Sequence, residues 1–218
     1  MKVKICGITE IEDALKAAKL GADALGFIFA PSPRQVTMSK ARRIIKALPP
    51  FIKTVGVFVN EETNTIKEHI NCCGLDLVQL HGDESPEFCR QLMPYTIKAF
   101  RIKNDSSPHM CANYQADARA LLLDTYAKDK AGGTGKTFDW QLAVKIKETG
   151  IPVILSGGLG PSNIEEAIRV VRPYAVDVNS GVEEHPGKKS YVLMEKLMEK
   201  VVGIEKMNIE HRTSNIER

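Results

Sequence analysis

Residues 4–15 read Lys4-Ile-Cys-Gly-Ile-Thr-Glu-Ile-Glu-Asp-Ala-Leu, and the far end of the chain echoes them with Ile154-Leu-Ser-Gly-Gly-Leu followed by Ile164-Glu-Glu-Ala-Ile. Each copy reads as a short apolar strand, a glycine turn and a helix. Thr9 with Glu12, and Ser162 with Glu165, have the Ser/Thr-x-x-Glu spacing of a capping box at a helix start. A repeated strand–turn–helix unit is the signature of a closed ring of βα modules.

The alternation continues between and beyond the two copies. Strands are predicted over residues 3–6, 24–29, 54–59, 77–81, 97–100, 120–124, 153–156 and 175–178. Helices are predicted over 11–20, 39–48, 61–73, 139–149 and 191–202, with others after Ser85-Pro86 and Ser162. Residues 106–114 make a poor helix, being polar and proline-interrupted. Eight evenly spaced strands in 218 residues describe an α/β fold of the TIM (β/α)8 barrel type, a single domain over residues 1–203. A doubly wound sheet seldom needs so many. Residues 204–218 are polar with no apolar face, and read as a frayed C-terminal tail.

Composition narrows the function. A net charge of +3, dispersed along the chain, suits a small anionic substrate and not nucleic acid. No apolar run approaches the roughly 18 residues of a membrane span, and the N-terminus enters a strand directly, so a cytoplasmic location is expected. The five cysteines fit no disulfide framework or zinc knuckle. His69, Cys72 and Cys73 share a helix face, but no second cluster completes a metal site, so helix packing is the reading and no metal is expected.

In such a barrel, chemistry sits at the carboxyl ends of the strands. In chain order those ends offer Cys6, Arg34, Asn60, His81, Arg101, Asp124, Gly157 with Gly158, and Asn179 with Ser180 and Gly181. Cys6 is the most informative of them, and its position admits two roles, a reactive thiol or a small buried hydrophobe. Strand alternation places Lys4 and Lys2 on the same inward face as Cys6, and makes Asp177 the natural partner of a buried Lys4. Glycine turns after strands seven and eight are where these barrels bind phosphate through bare backbone N–H groups. Residues 132–137, Gly-Gly-Thr-Gly-Lys-Thr, fail the nucleotide P-loop pattern because Lys130 stands where its first glycine belongs. They read as a Gly-rich lid after strand six, with Lys136 near an anion.

Taken together, these residues resemble the phosphoribosylanthranilate isomerase family of tryptophan biosynthesis over residues 2–202. The segments that carry the resemblance are Lys4-Ile-Cys-Gly, Leu25-Gly-Phe-Ile-Phe with Ser32-Pro-Arg, Val55-Gly-Val-Phe-Val-Asn, Val78-Gln-Leu-His-Gly and Leu122-Leu-Asp. Gly132-Gly-Thr-Gly-Lys with Phe138-Asp-Trp, Leu155-Ser-Gly-Gly-Leu, and Ser180-Gly-Val-Glu with Pro186-Gly complete the set. Asn179 and Ser190 stand where the family usually has serine and aspartate; each keeps a polar group, and Ser190 is expected to open the last helix.

The resemblance implies an Amadori rearrangement of N-(5-phosphoribosyl)anthranilate by general acid–base catalysis, with no cofactor. It implies Cys6 as base and Asp124 as acid, with Arg34, His81 and Asp177 contacting substrate, and Gly157, Gly158, Asn179, Ser180 and Gly181 holding phosphate. A thiolate at Cys6 calls for nearby cations or strand-end N–H groups. The implied partner is a phosphoribosyl small molecule, with no nucleic acid or membrane, for a monomer or homodimer. The rival readings are another phosphosugar barrel, of the epimerase or indole-glycerol-phosphate synthase type, and a non-catalytic phosphate-binding barrel. An epimerase leans on paired carboxylates or a metal, the synthase on strand-end lysines.

Overall fold

In the computed structural model, residues 1–102, 109–125 and 139–214 are described, and residues 109, 125, 205 and 207–214 by backbone alone. The eight barrel strands are β1 (Lys2–Ile5), β2 (Ala24–Ile28), β3 (Lys53–Phe58), β4 (Leu77–Leu80), β5 (Thr96–Ile102), β6 (Ala120–Thr125), β7 (Val153–Leu155) and β8 (Ala175–Val178). They close in chain order, every pairing parallel, and β8 returns to β1 with Lys4 opposite Asp177. Around them lie α1 (Ile11–Lys19), α2 (Met38–Lys46), α3 (Thr63–Cys73), α4 (Pro86–Arg90), α5 (His109–Ala112), α6 (Trp140–Lys147), α7 (Ile164–Val171) and α8 (Tyr191–Ser214). The expected (β/α)8 barrel is the fold.

The side-chain period of two in a strand sorts the apolar residues into two cores. Val3, Ile5, Leu25, Phe27, Val78, Leu80, Leu121, Leu123, Val176 and Val178 face outward and meet the helices. Val55, Ile97, Ala99, Ala120, Leu122, Ile154 and Ala175, with Ala24 and Leu77, fill the barrel interior. Each fully buried large side chain adds about 1.5–3 kcal/mol. Cutting Leu25 or Phe27, both fully buried, back to alanine would cost about 2–5 kcal/mol.

The two predicted capping boxes do not form. Glu10 and Asn163 precede the first helical residues of α1 and α7, so Glu12 and Glu165 fall one position short of the place a capping box requires. The hydroxyl of Thr9 instead donates to the Gly187 carbonyl at 2.5 Å. The Asn163 carboxamide bridges the α7 entry, accepting from the Gly160 N–H and donating to the Gly158 carbonyl. Ser85 does cap α4, taking the Phe88 N–H. The last helix, expected to stop at residue 202, continues to Ser214, and Ile204 is buried in the outer core. A feature absent from the sequence reading is a short antiparallel hairpin after β8, of β9 (Glu183–His185) and β10 (Lys188–Lys189).

Candidate active site

Cys6 follows the last residue of β1, and its N–H donates to the Val178 carbonyl of β8, which fixes it on the inner wall at the mouth. Its side chain fits because residue 26, beside it on β2, has none. A Cβ at Gly26 would lie 2.6 Å from the Cys6 Sγ and 3.1 Å from Lys4 Cε. Below Cys6, Lys4 Nζ is bound to Asp177 Oδ1 at 2.8 Å and to Gln79 Oε1 at 3.0 Å. The pairing of Lys4 with Asp177 is thus present, and both are buried. Lys2, whose place was also expected inward, pairs with Asp23 at the exposed lower rim.

The electrostatics of this cluster run in two directions. Burial pushes the Cys6 thiol above its ordinary value; Lys4 and Lys189 pull it back and Asp177 adds to the rise. The expected cations are there, and burial outweighs them. Burial also works against the charge on Lys4, but Asp177 and Cys6 more than offset it and hold the ammonium above its ordinary value.

Across the mouth, Asp124 lies on β6 and His81 follows β4, with His81 Nε2 at 3.4 Å from Asp124 Oδ2. The other ring nitrogen, Nδ1, is 2.9 Å from the Gln79 amide nitrogen. Asp177 lies one inward level below Asn179, with one oxygen on Lys4 and the other 3.4 Å from the Ser156 hydroxyl, so it supports the site from beneath.

Arg34 is buried at the rim and grips Glu183 through Nε and Nη2, at 2.7–3.0 Å. Glu183 also takes the fully buried Lys189 Nζ at 2.9 Å, and that ammonium reaches the Asn179 carbonyl and side-chain oxygens. Burial raises Glu183, but Arg34 and Lys189 overcome it and hold the carboxyl below its ordinary value. Lys189 is pushed below its own ordinary value by burial, against the pull of Glu183. The Asn179 side chain therefore points to Lys189 and Gly7, and its backbone is what adjoins the glycine turns.

Gly157 and Gly158 follow β7 with φ of 86° and 65°, a region that glycine enters without strain. A Cβ at Gly181 would collide with the Leu159 carbonyl, so the turns after β7 and β8 touch backbone to backbone. No described residue accepts a hydrogen bond from the N–H of Gly157, Gly158, Ser180 or Gly181. The lid at residues 132–137, with Lys136, lies outside the described residues.

Other strand-end candidates are used elsewhere. Asn60 caps a loop, its side chain taking the Asp83 N–H and its own N–H donating to Glu84. Arg101 is exposed. His69 packs on Phe29 and Phe58, Cys72 is exposed, and Cys73 Sγ faces the Met38 carbonyl. Among the described residues no three His, Cys, Asp or Glu side chains form a metal-binding group, and no helix is long and apolar enough to cross a membrane.

Sequence reasoning missed Gln79, Gly26, Glu183 and Lys189. The alternation that put Lys4 beneath Cys6 also puts Gln79 beneath His81, so that signal was present. Glu183 and Lys189 meet through a hairpin whose local pattern is too short to stand out.

Residues 3–200 match the family model described as PRAI: N-(5'phosphoribosyl)anthranilate (PRA) isomerase. The N-(5'-phosphoribosyl)anthranilate isomerase of Geobacter sulfurreducens is 50% identical over 204 residues, covering 93% of this chain and 99% of that one. The crystal structure of phosphoribosyl anthranilate isomerase from Thermotoga maritima superposes with a TM-score of 0.87 at 44% identity, over 93% of this chain and 99% of that one. A phosphoribosyl anthranilate isomerase in complex with reduced 1-(o-carboxyphenylamino)-1-deoxyribulose 5-phosphate superposes with a TM-score of 0.83 at 42% identity, over 93% and 99% of the two chains.

Proposed function

This chain belongs to the N-(5'-phosphoribosyl)anthranilate isomerase family, and from that premise we propose that Asp124 is the acid and Cys6 the base of its reaction. The reaction, a step of tryptophan biosynthesis, turns the aminoaldose N-(5'-phosphoribosyl)anthranilate into the aminoketose 1-(2-carboxyphenylamino)-1-deoxyribulose 5-phosphate. Asp124 gives its proton to the furanose ring oxygen. The bond from that oxygen to C1 breaks, and the nitrogen lone pair closes a protonated Schiff base. Cys6 then takes the proton from C2, and the freed electron pair moves towards the iminium nitrogen. The resulting enolamine tautomerises to the ketone, so no atom is gained or lost.

One observation carries this reading. The arc of the barrel from β6 to β1 passes through β7 and β8, so Asp124 and Cys6 flank the bare N–H groups of Gly157, Gly158, Ser180 and Gly181. A phosphate anchored on those turns leaves C1 and C2 of its sugar between the two proton-transfer groups. Arg34 takes the anthranilate carboxylate through its outer Nη1–Nη2 edge, while Glu183 holds its Nε–Nη2 edge in place. His81 orients Asp124.

The test is kinetic, following the fluorescence decay of substrate made in situ. Cys6→Ser and Asp124→Asn should each lower kcat by roughly 10²–10⁴-fold, the worth of one general acid or base. KM should change little, because each substitution keeps the shape and removes a proton-transfer group. A large rise in KM with kcat retained would make the residue a binding group and overturn its assignment.

A further inference from the structure

We propose that Gln79 is a positioning residue: through a hydrogen-bonded chain from the Lys4–Asp177 pair it holds His81 as the neutral tautomer with its proton on Nε2, the ring nitrogen on the Asp124 side. The chain has a fixed direction. Lys4 is an ammonium and only donates, so the Gln79 atom 3.0 Å from it is the amide oxygen. The Gln79 nitrogen is then left to face His81, and its N–H donates to Nδ1 across 2.9 Å. Nδ1 must accept, so it carries no proton, and the ring proton of neutral His81 resides on Nε2. That nitrogen stands 3.4 Å from Asp124 Oδ2.

Turning the ring proton round would require Gln79 to flip. Its NH₂ would then meet the Lys4 ammonium, two donors face to face in a buried site. Lys4 itself is locked by Asp177, its register partner across the β1–β8 seam, and Asp177 is held in turn by Ser156. One barrel layer thus sets the proton of the layer above it. The consequence for chemistry follows from charge. A neutral imidazole places no positive charge beside the proposed acid before the furanose opens. Once the proton has left, the Nε2–H faces the new carboxylate and stabilises it, an interaction stronger after transfer than before.

This inference rests on the assignment of Asp124 as the acid, and its test separates the two. Proton–nitrogen correlation spectra of the full-length protein carrying ¹⁵N-histidine report which ring nitrogen is protonated, with His81 assigned by its loss in His81→Gln. That spectrum judges the chain alone; Asp124→Asn kinetics judge the acid. In the wild type at neutral pH, Nε2 should be protonated and Nδ1 bare. Gln79→Glu replaces the donor facing His81 with an acceptor, so the ring proton should appear on Nδ1, and kcat should fall by roughly tenfold or more with KM nearly unchanged. A wild-type ring protonated on Nδ1 would overturn the proposal, as would a Gln79→Glu variant that moves neither the proton nor kcat. A proton that moves while kcat stays constant would remove the functional role. If Gln79→Glu fails to fold by circular dichroism, the wild-type spectrum decides the direction of the chain and Gln79→Leu supplies the kinetic comparison, with the same expected loss in kcat.

Discussion

Cys6 must lose a proton to act as a base, yet it sits where burial favours the neutral thiol. Lys4 and Lys189 oppose that push, since nearby cations favour the thiolate. Because the thiol is held above its ordinary value of 9.0, its thiolate fraction grows as pH rises and is still growing past that value. Alkylation of Cys6 by iodoacetamide, followed by mass spectrometry of its peptide, should therefore keep accelerating beyond pH 9.0. A rate that levels off below that pH would contradict the burial argument. Gly26 is the second residue on which the site depends. In Gly26→Ala the new methyl would stand 2.6 Å from Sγ, so the sulfur must leave its place. Overpacking of this kind costs about 1–3 kcal/mol, to be read from urea unfolding. We expect kcat to fall more than KM rises, since the proposed base moves and the turns proposed for phosphate do not.

At the scale of elements, the β9–β10 hairpin is the part that ties the rim together. Asp13 of α1 is fully buried and takes Lys188 Nζ and the Lys189 N–H, while Thr9 holds the Gly187 carbonyl. Between them Glu183 neutralises Arg34 and Lys189, all three well buried. Removing that carboxylate in Glu183→Ala leaves two buried cations without the anion they share. The expected loss is about 3–5 kcal/mol, measured by urea or thermal unfolding. KM should rise too, because Arg34 loses the support that aims it. A pH effect belongs to the same elements. Glu183 is held below its ordinary value of 4.5 by Arg34 and Lys189 against burial, and Glu84 likewise by Lys98. Carboxyls held low in the folded state stabilise it fully above that ordinary value and lose the contribution as pH falls below it. Unfolding midpoints should thus be flat from about pH 5 to neutrality and drop in acid, and Glu183→Gln should flatten part of that drop.

At the scale of the whole molecule, closure of the barrel brings the turns after β7 and β8 against one another and beside β1. Inorganic phosphate should accordingly inhibit competitively and stabilise the protein, by about 2.7 kcal/mol at a concentration a hundred times its Kd. Gly158→Val should abolish most of that stabilisation while leaving anthranilate binding in place, since φ of 65° is closed to a β-branched residue. Phosphate that protects Gly158→Val as well as wild type would place the anion elsewhere. How much of all this the sequence holds depends on the range of the interactions. Strand order, the inward column of Lys4 and Cys6 and the glycine turns follow from local periodicity and backbone sterics, which any stretch of chain carries within itself. So did the Lys4–Asp177 pair, because closing a ring of eight forces the first and last strands together. The capping boxes misled because Thr9 found a partner at Gly187, and a side chain takes the better bond that tertiary contact offers. The grip of Glu183 on Arg34, the room Gly26 leaves for the sulfur, the net rise of the Cys6 thiol and the direction of the Gln79 chain were decided only by the folded structure. Each depends on the distance and burial of groups far apart in sequence, and neither quantity exists until the barrel has closed.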